Sequence, residues 1–124
     1  MYTSTVNEVK LIGYVPNKPE LREVINGTLF CSINIATHES YVDQHGEIHR
    51  KTDWLPVKFW GHIAINANNF LEKGTKVYIE GKLTTYSKLV EGERIYKVEV
   101  MATKMISLNK NEKKIPKNYY GNHP

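Results

Sequence analysis

Alternation between apolar and polar positions dominates the first two thirds of the chain. Val9, Leu11 and Ile12 open an apolar stretch that runs into Gly13 and the turn-prone Pro16-Asn17-Lys18-Pro19, the pattern of a strand entering a loop. Asn26-Gly27 marks a second break. From Leu29 the period is two: Leu29, Cys31, Ile33 and Ile35 share one face, and Ser32, Asn34 and His38 the other. This strand is expected to continue through Tyr41 into a polar ribbon that reverses near Gln44-His45-Gly46 and returns through Ile48 to Lys51. A third strand, Thr52 to Trp60, sets Leu55, Val57 and Phe59 against Trp54, Pro56, Lys58 and Trp60.

After Gly61 the period changes. Ile63, Ala67, Phe70 and Leu71 fall on one face of a short helix, with Gly74 placed to end it in a left-handed cap. A fourth strand sends Val77, Ile79, Gly81 and Leu83 inward, and a hairpin at Glu91-Gly92 leads to a last strand from Ile95 to about Leu108. The order is three strands, helix, two strands. It predicts an all-β fold, a five-stranded oligonucleotide-binding (OB) barrel with one short helix between strands 3 and 4, although the order alone does not exclude other small barrels.

The 124 residues suit one domain, expected over 1–108, followed by a short basic tail over 109–124 that is expected to be disordered. Charge divides the same way. Residues 1–108 hold 13 Lys/Arg against 12 Asp/Glu, and residues 109–124 hold 4 against 1. The near-neutral body lacks the usual basic footprint of nucleic-acid binding, so function must be read from where particular residues point. No apolar run reaches the ~18 residues of a membrane span, and the N-terminus lacks the basic start and apolar core of a signal peptide, so a cytoplasmic location is expected. The lone Cys31 fits a small buried hydrophobe in a reducing compartment.

Two indoles on the polar side of the third strand require a reason. Trp54 and Trp60 lie six residues apart, so at about 3.3 Å per residue their rings are spaced by roughly 20 Å, room for several unpaired bases to stack. Lys58 between them is placed to meet a phosphate. Tyr41 is the next candidate platform, and Lys10, Arg50, Lys51, Lys73, Lys82 and Lys88 are candidate backbone contacts. Because every base has a π-face, such a surface is sequence-tolerant. The competing account packs the indoles against a loop, the helix or a neighbouring subunit.

Catalytic readings find little support. His45 and His49 flank a turn, and neither Cys31 nor His38, His62 and His123 completes a zinc set. Asp43 and Asp53 could be imagined as a metal-binding pair, yet Asp53 beside Trp54 is more simply a polar strand residue. No glycine-rich phosphate loop appears, and Ser40 has no nucleophile motif. No enzyme activity, metal or cofactor is expected.

Several blocks resemble the bacterial-type single-stranded DNA-binding protein family. They are Asn7-Glu8-Val9 with Leu11-Ile12-Gly13, Pro19-Glu20-Leu21-Arg22, Ile35-Ala36-Thr37, Thr52-Asp53-Trp54, Phe59-Trp60-Gly61, Gly74 with Val77-Tyr78-Ile79-Glu80-Gly81, and Tyr96 with Glu99-Val100. The resemblance implies an OB barrel, usually a homotetramer, that coats single strands during replication, recombination and repair without catalysis. It also implies base stacking at the positions matching Tyr41, Trp54 and Trp60. Tyr86, a further candidate, stands displaced from the family's usual aromatic position after Gly81-Lys82-Leu83. Pro56 departs too, and signals a bulge or an edge. The tail lacks the glycine-rich linker and acidic recruiting tip typical of bacterial members. That leaves open another route of recruitment, a shortened chain, or a phage, plasmid or specialised paralogue. An OB module that mainly docks proteins, as primosome-type accessory factors do, is the alternative function, and RNA binding a third.

Overall fold

A computed structural model of the chain describes residues 4–108; the tail expected over 109–124 lies outside them. Six strands and one helix follow in the order β1 (Val9–Tyr14), β2 (Arg22–Glu23), β3 (Leu29–Val42), β4 (Ile48–Trp60), α1 (His62–Phe70), β5 (Lys76–Val90) and β6 (Glu93–Ser107). Apart from the two-residue β2 beside β3, these are the five strands and one helix of the expected barrel. The sheet runs β1-β5-β6-β4-β3-β2, and a pairing of Tyr14 with Ala36 joins β1 back to β3 and closes the ring.

The inward parity of the strands fills the centre. Cys31, Ile33, Ile35, Val57, Phe59, Val77, Ile79, Val100 and Ala102 are all buried. Phe59 is fully enclosed, and removing such a side chain from water contributes about 1.5–3 kcal/mol. Cys31 sits against the helix, its thiol donating to the Ala64 carbonyl at 3.4 Å, and burial pushes that thiol's pKa up.

Two glycines stand where strands cross closely. A Cβ on Gly13 would meet Ile35 Cγ2 at 2.5 Å and the Ala36 carbonyl at 2.6 Å, at the β1–β3 closure. One on Gly81 would lie 2.2 Å from the Met101 carbonyl, where a bulge shifts the β5–β6 register between Glu80 and Gly81.

Both long hairpins outrun the barrel. The β3–β4 ladder is continuous from Phe30↔Trp60 to Val42↔Ile48, so its distal half is an exposed ribbon. The β5–β6 ladder continues past the bulge to Val90↔Glu93, turning at Glu91 (φ 51°) and Gly92 (φ 83°), the two left-handed residues of a type I′ turn. Asn7 clamps the start of this extension by pairing its amide with the backbone of Leu83, at 2.8 and 2.9 Å.

Three sequence expectations need correction. Leu83 is not a core residue: it follows the inward parity, opposite Val100, but by then β5 has left the barrel and the side chain is 48% exposed. Phe70 is exposed, because the helix ends there and the extended Leu71 (φ −100°, ψ 134°) plugs the core beside Ala64 and Ala67. Gly74 (φ 89°) therefore does not cap the helix. It serves the following turn, where its amide donates to the Val15 carbonyl at 2.7 Å. At Pro56 the β3 ladder is unbroken, and parallel pairing of β4 with β6 begins one residue later at Val57, so the proline stands beside an open edge rather than in a bulge.

Candidate nucleic-acid interface

Register decides which side chains share the barrel's outer face. Along β4, Trp60, Lys58, Pro56, Trp54 and Arg50 alternate outward, opposite Phe30, Ser32, Asn34, Ala36 and Ser40 of β3. On the other side, Lys58 pairs with Met101 of β6, which pairs with Lys82 of β5. The same parity carries Thr84, Tyr86 and Lys88 of β5, and Lys97 and Glu99 of β6. Seven of the eight candidate residues thus stand on one face: Arg50, Trp54, Lys58, Trp60, Lys82, Tyr86 and Lys88. Tyr41 does not. It pairs with His49 on the opposite side of the ribbon.

Trp54 is 57% exposed and Trp60 37%. Trp60 is propped by Phe30, whose ring lies 5.3 Å away at 33°, a tilted aromatic pair that holds the indole's position on the surface. Lys58 occupies the middle of a small aromatic enclosure. Its ammonium lies 5.5 Å from the Phe30 ring centre, 5.7 Å from Trp60 and 5.8 Å from Tyr86, within cation–π range of all three. Tyr86, although displaced in sequence, is thereby brought to the same ammonium that Trp60 borders. The Glu99 carboxylate stands 3.7 Å from the same ammonium.

At the ribbon's tip, Tyr41 stacks on His49 with ring centres 5.1 Å apart and planes 17° from parallel. His49 Nε2 lies 2.7 Å from Asp43 Oδ2, while Asp43 Oδ1 accepts the amides of His45 and Glu47 at 2.8 and 2.9 Å. The His49 hydrogen bond, followed by those amides, lowers the Asp43 pKa. Asp43, Glu47 and His49 offer metal-ligand atoms within 4.8 Å of one another, but Asp43 is engaged in organising the turn. Asp53 lies elsewhere, paired with Lys51 at 3.6 Å.

Residues 6–108 match the single-strand binding protein family. The chain belongs to that family. Among its relatives is a protein named single-stranded DNA-binding protein 1 from Chlorobaculum tepidum, 36% identical over 102 residues, which cover 81% of this chain and 63% of that one. Another of the same name from Xylella fastidiosa is 32% identical over 111 residues, covering 88% and 82%. A solved complex of the Plasmodium falciparum SSB with single-stranded DNA superposes with a TM-score of 0.77 at 26% identity, covering 87% of this chain and 99% of that one. A Thermus aquaticus single-stranded DNA-binding protein, solved as a deletion mutant, gives a TM-score of 0.73 at 27% identity, with 83% and 50% covered. The chain thus spans under two thirds of the Chlorobaculum relative and half of the Thermus chain.

Three contributors escape sequence reasoning. Phe30 carried the signal that singled out the indoles, an aromatic on the polar parity of its strand. Glu99 carried none, because its approach to Lys58 depends on the long-range β4–β6 pairing. His49 drew notice as a metal ligand, whereas in the fold it supports a ring.

Proposed function

We propose that this protein captures single-stranded DNA without reading its sequence, laying bases on the outward aromatic rings and neutralising phosphates with the basic residues around them. The observation that carries this reading is one register-defined face holding Trp54, Trp60, Phe30 and Tyr86, rimmed by Arg50, Lys82, Lys88 and Lys97. Flat stacking is available to any base, so affinity on such a face comes without base-edge hydrogen bonds. Tyr41 acts as a further platform at the ribbon, and the protection of exposed strands during replication, recombination and repair is the corresponding cellular role. That role places the protein in the cytoplasm with the nucleoid; no helix among the described residues is long and apolar enough to cross a membrane. Chemistry on the bound strand forms no part of the reading.

Assembly as a homotetramer belongs to the same proposal. Its support is two exposed apolar surfaces: Ile12 and Ile106, flanking Tyr78 where β1, β5 and β6 pair, and Leu83, Tyr96 and Val98 on the side of the β5–β6 hairpin opposite Tyr86 and Lys88. The hairpin surface also favours a second reading, docking of other proteins on an OB module that binds nucleic acid weakly.

Sedimentation of the protein with and without a fluorescent oligo-dT separates these readings. Co-sedimentation at sub-micromolar protein, with a mass of four chains, is expected. Oligonucleotide left free at micromolar protein would favour the docking module, and a monomer across that range would remove the tetramer.

A further inference from the structure

Lys58 is the most central cation on the aromatic face, yet it is already engaged. Its side chain is 24% exposed and that of Glu99 13%, so the pair is largely withdrawn from water among three rings. A carboxylate so placed on a phosphate-binding surface calls for a reason, because a desolvated negative charge opposes an incoming anion. The pair's geometry is also poor: 3.7 Å separates nitrogen and oxygen, against about 2.7–2.9 Å for a charge-assisted hydrogen bond. A phosphate oxygen arriving at the shorter distance is the better partner.

We propose that Glu99 is a negative determinant of affinity: it holds the Lys58 ammonium in the free protein, and a DNA phosphate must displace it. The proposal rests on the single-strand reading above and refines it. Lys58 enters the bound state only by leaving Glu99, whose charge then stays uncompensated beneath the strand. Part of the binding energy of this contact is thereby cancelled, and the cation is kept positioned among Phe30, Trp60 and Tyr86 while no strand is present. A bound strand can then leave more readily than an unopposed lysine would permit.

Glu99→Gln keeps the side chain's shape and removes its charge. One phosphate contact freed of competition corresponds to roughly a five-fold gain at 0.1 M salt, and to a salt slope steeper by about 0.7. Anisotropy of a labelled oligo-dT should therefore show the variant binding about five-fold tighter than the unaltered protein. Equal or weaker binding with the same slope would overturn the proposal. Should the variant fail to fold by circular dichroism, NMR of the unaltered protein decides: a Lys58 Nζ coupling to phosphorus should appear on saturation with oligo-dT. A Lys58 ammonium that keeps its free-protein shift at saturation would overturn it. Absence of any oligo-dT binding by the unaltered protein would instead remove the single-strand reading itself.

Discussion

The two indoles differ in what holds them. Trp54 stands opposite the buried Ala36, and most of its surface is open, whereas Trp60 leans on Phe30 and borders the Lys58 ammonium. Neither ring belongs to the buried core, so truncation removes a stacking surface without opening a cavity. We expect Trp54→Ala and Trp60→Ala each to lose roughly 1–3 kcal/mol of oligo-dT binding, measured by anisotropy, with the thermal unfolding midpoint little changed. Wild-type affinity in both would contradict the stacking account. Parity within one strand was enough to bring out these two rings, and the same rule applied to β3 brings out Phe30. What it cannot supply is the neighbour across a non-local pairing. Glu99 reaches Lys58, 41 residues away in the sequence, only because β6 lies parallel to β4.

Among the elements, the hairpins hold most of what the sequence left obscure. The β3–β4 ribbon was legible because an alternating strand runs into a polar stretch that reverses at Gln44-His45-Gly46 and returns through Ile48. The β5–β6 hairpin was not fully so: Val77 and Ile79 set an inward pattern that Leu83 continues, and nothing in the apolar sequence marks where the barrel stops. Where the ribbon turns, Asp43 accepts two backbone amides and pairs with His49, and these bonds to the ionised carboxylate depress its pKa. A carboxylate whose folded pKa lies below its unfolded value supports the fold fully above the ordinary aspartate range. That support is lost as pH falls through the depressed folded value. The His45 and Glu47 amides should accordingly keep their NMR protection while pH falls to the ordinary aspartate range, and lose it progressively below. Loss beginning at higher pH would show that Asp43 does not hold the turn. Because His49 also stacks on Tyr41, the same measurement reports on the support of that platform.

For the whole molecule, a nearly neutral body sets four of its aromatic rings, Phe30, Trp54, Trp60 and Tyr86, and several of its basic side chains on one outer face. Net charge hid this, since 13 basic residues against 12 acidic ones over residues 1–108 say nothing about their placement. Closure of the ring by β1 against β3 and β5 removes most free edges and keeps β3, β4, β5 and β6 in fixed register, which lines up side chains from four strands. In the proposed mode, stacking gives sequence tolerance and the basic rim gives salt dependence, so it predicts both signatures in one binding event. The most direct test is intrinsic tryptophan fluorescence during titration with oligo-dT at two salt concentrations. Strong quenching at saturation is expected, with affinity falling as salt rises by a log–log slope of about −0.7 for each phosphate engaged. Tight binding that leaves the indole emission unchanged would contradict the account.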